Sequence, residues 1–182
     1  MKMMQSDEFL VTQAQGGDAD AFGTLVARHY DLVFRLGYRM LGSKSEAQDL
    51  AQDVCAGLAG KLAGFRGDAK FTTWLYRITI NAAKDRLRKR TTRQKAQEGW
   101  GEVEAMSRET TAQYKAQLQW LHQAMATLSD DLRETVALVL GEDQTHAQAA
   151  AVLGVSEGTI SWRMSEVKKN LRAVAQAEER YP

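Results

Sequence analysis

Apolar residues recur at intervals of three and four along most of the chain, the period of helices buried along one side. Ser6 can cap a short first helix that ends at Gly16 and Gly17. A second, from about Asp20 to Leu41, aligns Phe22, Val26, Val33, Leu36 and Met40. Ser45 followed by Gln48 makes a capping box for a third, to about Leu62, with Ala47, Leu50, Ala51, Val54, Leu58 and Leu62 on its inner side. A loop spans Gly64 to Phe71, and Thr72 or Thr73 caps a fourth helix that reaches about Arg90 with Leu75, Ile78 and Ala82 inward. From Thr91 to about Ala116 the period dissolves into Gln, Glu, Thr and Gly, and Trp100 is the one large apolar residue in the first half of that stretch. This reads as a flexible linker.

The period returns at Leu118, Leu121, Met125 and Leu128, then at Leu132, Val136 and Val139, which implies two more helices. An alanine-rich helix from about Thr145 stops at Gly154, and Ser156 caps the next, which is the pattern of a helix-turn-helix. Ala149 and Ala150 let those two helices approach closely, and Gly154 supplies a turn conformation that a β-carbon resists. Ile160, Met164, Val167 and Leu171 form the inward stripe, leaving Gly158, Thr159, Trp162, Arg163, Glu166 and Lys169 to face outward. The expected fold is all-α: two small helical domains, residues 1–92 and 117–182, joined by a flexible linker, residues 93–116, with the helix-turn-helix in the second domain.

Composition supports helix throughout: the only proline is Pro182, so no interior position is barred. The single cysteine, Cys55, cannot form an internal disulfide, no run approaches the ~18 apolar residues of a membrane span, and the N-terminus turns polar where a signal peptide needs its apolar stretch. A cytoplasmic protein without membrane insertion is expected. His29, His122 and His146 fall on separate helices with no cysteine or carboxylate at ligand spacing. No metal, no cofactor and no catalytic residue is therefore expected, nor is there a phosphate-binding glycine loop or a nucleophile motif.

Charge changes the picture more. The net charge is only +1, yet from Lys61 to Lys95 there are eleven Lys or Arg against Asp68 and Asp85, so this stretch carries +9 and the rest −8. A polyanion would bind here first. On the fourth helix Arg77, Lys84, Arg88 and Lys89 can neutralise phosphates, and Asn81 can offer a base edge both a donor and an acceptor. Trp74, beside Leu75 and Ile78, is expected in the core rather than as a stacking platform. In the helix-turn-helix, Thr159, Ser161, Trp162 and Arg163 are candidate base readers, Thr145 and Lys169 candidate phosphate contacts, and Ser156, at the cap, a further candidate DNA-binding residue. Gln48, Asp49, Gln52 and Asp53 make a polar, acidic side of the third helix.

The segment FRGDAKFTTWLYRITINAAKDRLRKR, residues 65–90, resembles the promoter-melting segment of extracytoplasmic-function sigma factors of the sigma-70 family. AQDLAQDV, residues 47–54, is similar to that family's main polymerase-binding helix, and LSDDLRETVALVL with the helix-turn-helix resembles its second domain. The chain departs from the family at Cys55, usually aromatic or large aliphatic, at Ser129, often proline, at Gln148, commonly glutamate, and at Ser161 and Trp162, commonly Lys-Ser. The last three leave the upstream promoter sequence open.

The resemblance implies a factor that binds core RNA polymerase, brings it to promoter DNA and helps to open it. It implies that Gln48, Asp49, Gln52 and Asp53 dock on the β′ clamp helices, that the second domain meets the β flap, and that an anti-sigma factor restrains a free monomer. It further implies that the loop of Phe65, Arg66, Asp68, Lys70 and Phe71 captures a base of the minus-ten element, with Arg77, Asn81, Lys84 and Arg88 holding the strand, and that the helix-turn-helix reads the minus-thirty-five element as duplex. Two alternatives are a duplex-only helix-turn-helix regulator that does not bind core polymerase, and a protein-interaction module with no DNA role.

Overall fold

A computed structural model describes residues 5–96 and 112–179 of the chain. The described residues form α-helices α1 (Asp7–Gln15), α2 (Ala19–Leu41), α3 (Lys44–Leu62), α4 (Phe71–Ala96), α5 (Ala112–Thr127), α6 (Asp130–Val136), α7 (His146–Leu153) and α8 (Glu157–Glu179), with a π-helical turn at Ala137–Gly141 after α6.

The first four helices follow from their caps and stripes, with two starts displaced. Ser6 accepts from the Phe9 amide at 3.2 Å and begins α1. Asp18 caps α2 through the Asp20 and Ala21 amides. Helix α3 is capped by Ser43, not Ser45, because the Ser43 hydroxyl reaches the Glu46 amide. Helix α4 starts at Phe71, two residues earlier than a Thr72 cap allows, with the Lys70 carbonyl accepting from the Trp74 amide at 3.2 Å and Phe71 buried at 3% exposure. Thr72 and Thr73 thus lie within its first turn. The inner side of α4 is also deeper than Leu75, Ile78 and Ala82 suggest: Tyr76, Thr79, Ile80, Ala83 and Leu87 are buried, while Ile78 and Ala82 are half-buried. This helix is covered from two sides.

Helices α2 and α3 pack closely because Gly37 has no side chain; a β-carbon there would lie 2.7 Å from Leu50 Cδ2. In the second block Arg133 is buried beneath α5 and donates to the carbonyls of Met125, Ala126 and Leu128, satisfying the end of that helix. Thr145 and Gln148 form a complete capping box on α7, and Gly154 closes it in the left-handed region at φ 68°.

One apolar cluster runs across both blocks. Leu36, Leu50, Leu58, Leu75 and Ile80 are continuous with Leu138, Ala149, Val152 and Ile160. Leu128, Val136 and Val167 form a smaller cluster within the second block. Helix α4 extends to Ala96 and α5 begins at Ala112, so helix enters both ends of the expected linker. The middle of that linker, with Trp100, lies outside the described residues.

Candidate nucleic-acid interface

The loop between α3 and α4 is built on three aromatic rings. Phe65 meets Phe71 edge-on at 6.0 Å and Trp74 at 5.0 Å, and Phe71 and Trp74 are 5.8 Å apart. Beside them opens a pocket of about 300 Å³ lined by Phe65, Arg66, Asp68, Thr73, Trp74 and Arg77. Arg66, Asp68 and Lys70 are exposed. Two expectations change here. Phe71 is buried at 3% exposure and packs against Phe65 and Trp74, so it is not part of this pocket's lining. Trp74, expected in the core, is half-buried and forms part of the pocket wall. An aromatic wall, a cationic rim and an exposed Asn81 one turn beyond Arg77 suit an unstacked base and its backbone.

Two cations expected at phosphates are occupied by the second block. Arg77 donates to the carbonyls of Val152 at 2.9 Å and Ala151 at 2.7 Å. Lys84 lies 2.8 Å from Glu134 and 3.8 Å from Asp131. Arg88 is exposed, 3.8 Å from Asp85. A phosphate can replace the second block at Arg77 and Lys84 only when that block moves away.

The same junction has an acidic centre that sequence reasoning missed. Glu142, whose side chain is 4% exposed, accepts from Arg35 at 3.1 Å, from Arg39, and from the Tyr76 hydroxyl at 3.3 Å. Burial first, and then the neighbouring Glu142 charge, push the Tyr76 phenol up to about 12. The hydrogen bond to Glu142 raises Arg35 further above its usual range. Arg39 lies so close to Gly141 that a β-carbon would come within 2.5 Å of its Cδ. Arg35, Arg39 and Tyr76 stand 107, 103 and 66 positions from Glu142, and no local signal links them.

Helix α3 presents Gln48, Asp49, Gln52 and Asp53 on its exposed side. Asp53 also pairs with Arg86 of α4, and Glu46 pairs with Arg90 at 3.3 Å. The acidic side of α3 and the basic side of α4 are thereby stitched together without burying Asp49.

In the helix-turn-helix, Ser156, Ser161 and Lys169 are exposed, Thr159 is half-exposed, and Trp162 is 61% exposed. Ser156 caps the start of α8 through the Thr159 amide, and Thr145 caps α7. Arg163 is the correction. It is 8% exposed and bonded to Glu134, Asp131 and Thr135. It lies three residues after Ile160 and four before Val167, which places it on the inward side, and Glu134 supplies the counter-charge that lets it stay there. It faces the core of the second block and is no base reader in this arrangement. His146, not foreseen at the reading face, bridges α7 to α8 through Ser161 at 2.9 Å. His29 is 2.9 Å from Asp7 and 5.3 Å from the Phe71 ring, a carboxylate partner that its sequence neighbours did not reveal. Among the described residues no three His, Cys, Asp or Glu come together as a metal site, and no helix is long and apolar enough to cross a membrane.

Residues 25–93 match the family model described as Sigma-70 region 2, and residues 124–173 match Sigma-70, region 4. The chain is 31% identical over 180 residues to the RNA polymerase sigma-H factor of Pseudomonas aeruginosa, covering 93% of each chain. It is 27% identical over 178 residues to the ECF RNA polymerase sigma factor SigW of Bacillus subtilis, covering 89% of this chain and 92% of that one. Among solved structures, CnrH in complex with the cytosolic domain of CnrY has a TM-score of 0.71 at 26% identity and covers 95% of this chain and 99% of that one. Both the duplex-only regulator and the protein-interaction module give way to these likenesses. With regions 2 and 4 in order along an all-helical chain, the protein belongs to the extracytoplasmic-function group of the sigma-70 family, non-enzymatic factors that direct RNA polymerase to promoters.

Proposed function

We propose that the work is divided between residues 1–92, which bind core polymerase and open the minus-ten element, and residues 117–182, which hold the minus-thirty-five element as duplex. The exposed Gln48, Asp49, Gln52 and Asp53 on α3 are the polymerase-docking side, on the β′ clamp helices, with the β flap meeting the second domain. Phe65, Arg66, Asp68 and Lys70 capture a base, and Arg77, Asn81, Lys84 and Arg88 guide the strand once the second domain has moved off Arg77 and Lys84. Thr145, Ser156, Thr159, Ser161, Trp162 and Lys169 meet the upstream duplex. An anti-sigma factor is the regulatory partner and the cytoplasm the site of action; the similar CnrH was solved with the cytosolic domain of CnrY bound.

The observation that carries this reading is the pocket of about 300 Å³ at the loop, with an aromatic wall and a cationic rim. Unstacking a base costs on the order of a few kcal/mol, which stacking on the wall and edge hydrogen bonds can return. Replacing residues 65–70 by a Gly/Ser linker of equal length tests it. Core binding and duplex binding by the second domain stay near wild type, while permanganate reactivity of promoter thymines and run-off yield are lost and a pre-melted bubble partly restores transcription. Normal opening by the replaced loop removes the reading.

A further inference from the structure

The loop that forms this pocket has a second side, facing α1. Gln15, the last residue of α1, donates through its side-chain amide to the Leu62 carbonyl at 2.9 Å and to the Phe65 carbonyl at 2.8 Å. Those carbonyls mark where the chain leaves α3 and enters the loop, so α1 fixes the loop at its root. Helix α1 is itself anchored, by buried Leu10 and Val11 and by Arg28 and His29 on Asp7 at 2.6 and 2.9 Å. Gln15 is in this sense a positioning residue.

Between α1 and the loop runs a cleft of about 320 Å³, nearly the volume of the first pocket. Both are at the low end of small-ligand sites, ~300–1,000 Å³. Phe65 and Arg66 belong to both linings, so the two spaces lie back to back across the loop. We propose that this cleft is a second nucleotide subsite: the unpaired strand gives one base to the pocket beside Trp74, passes over the loop at Arg66, and places the adjoining base against α1. The proposal rests on the loop's reading as the base-capturing element.

The chemistry of the lining indicates which base. Phe65, half-buried, supplies the apolar surface for a ring, and the edges of the buried Val11 and Phe71 reach the floor of the cleft. Gln15 has committed its amide hydrogens to backbone carbonyls and has only its carbonyl oxygen to offer. Thr12 gives its hydroxyl proton to the Glu8 carbonyl at 2.9 Å and is left with lone pairs, and the Glu8 carboxylate accepts only. The α1 side is thus a row of acceptors. It selects a base edge with an exocyclic amino group, adenine, cytosine or guanine, over thymine, whose edge sets two carbonyls around a single imino hydrogen. Lys70 and Arg66 lie on the loop side of the cleft, where flanking phosphates can be neutralised, whereas Glu8 repels them on the other, so the base and not the backbone turns towards α1.

The test is selection of single-stranded oligodeoxynucleotides of random sequence by holoenzyme reconstituted with core polymerase, followed by sequencing. The wild type enriches two adjoining positions, and the second of them disfavours thymine. Thr12→Trp, at an exposed position, fills the cleft: affinity for the selected strand falls roughly tenfold and preference vanishes at the second position alone. Glu8→Lys replaces an acceptor by a donor and moves that position towards thymine, a readout that loss of structure would not produce. Gln15→Ala relaxes both positions with core binding retained. Enrichment at a single position, or both preferences surviving Thr12→Trp, overturns the second subsite and leaves the first in place. Failure of wild-type holoenzyme to select any single strand overturns the base-capture reading and the subsite together.

Discussion

Replacing Glu142 by Gln should loosen the junction between the two domains. The Glu142 side chain is 4% exposed and accepts from Arg35, Arg39 and Tyr76, all on the other side of the junction. Removing one member of a fully buried pair costs ~3–5 kcal/mol. Here the loss is smaller, because Arg35 is 51% and Arg39 33% exposed and water takes over part of their hydrogen bonding. Glutamine also keeps one carbonyl acceptor. About 2–3 kcal/mol is then lost from the closed arrangement alone, since the three donors are solvated once the domains separate, and the ratio of open to closed molecules rises about 30- to 150-fold. Gly141→Ala works from the other partner, driving Arg39 off the carboxylate through the 2.5 Å approach to its Cδ. Single-molecule energy transfer reads the change, with dyes on cysteines at the exposed positions Thr24 and Lys168 in a Cys55→Ser background. A population at longer distance grows in Glu142→Gln, grows further when Arg77→Ala removes its two bonds to α7, and appears in the wild type as salt screens the ion pairs. Affinity of the free Glu142→Gln single variant for single-stranded DNA rises in parallel, because Arg77 and Lys84 are released, whereas the double variant, which lacks Arg77, gains less. The reasoning is refuted if the double variant and the wild type share one distance distribution from about 0.05 to 0.5 M salt.

Three further outcomes separate surface from core. Trp162→Ala changes Tm by no more than a degree or two, whereas Arg163→Ala next to it lowers Tm by roughly five degrees, since it removes one of the two cations, Arg163 and Lys84, that pair with the buried Glu134; equal effects in differential scanning calorimetry would return Arg163 to the surface. Reversing Asp49 and Asp53 to Lys leaves the fold intact, because Asp53 is 76% exposed and Arg86 keeps its hydrogen bond to the Glu46 carbonyl, and abolishes binding to core polymerase; unchanged affinity in a pull-down titration rejects α3 as the docking side. For Asp7, burial opposes ionisation but the hydrogen bonds from Arg28 and His29 outweigh it and hold the carboxyl below its ordinary 3.8. Its contribution to anchoring α1 is therefore complete above pH ~4 and is lost as pH falls through the lowered value. Amide-exchange protection of residues 9–15 should fall ahead of that of α3 on acidification, and loss in step with α3 would count against the anchor.

What the sequence made legible and what it hid divide by the range of the interaction. Helix periodicity and caps act over three or four residues, so the helix order, the Gly154 turn and the outward Trp162 were readable from local pattern. The displaced caps are near misses of the same kind: Ser43 and Ser45 both fit the start of α3, and only the position of the buried stripe decides between them. Arg163 failed for a different reason. Its charge argued for the surface while its spacing from Ile160 and Val167 argued for the core, and the conflict was settled by Glu134, a residue 29 positions away. The basic stretch shows the same limit on a larger scale. Its excess of charge is visible in one dimension, yet whether Arg77 or Lys84 awaits DNA or is already spent on Ala151, Val152 and Glu134 depends on contacts 50 to 75 residues distant. A cation run therefore marks where a polyanion can bind, not that the site is open. In this chain the second helical block covers part of the first, through Arg77 and Lys84, the groups that we propose promoter DNA would claim. On that proposal, loading onto a promoter exchanges the Arg77 and Lys84 partners for phosphates, and the Glu134 carboxylate, together with the Glu142 junction that must open first, sets how much the exchange costs.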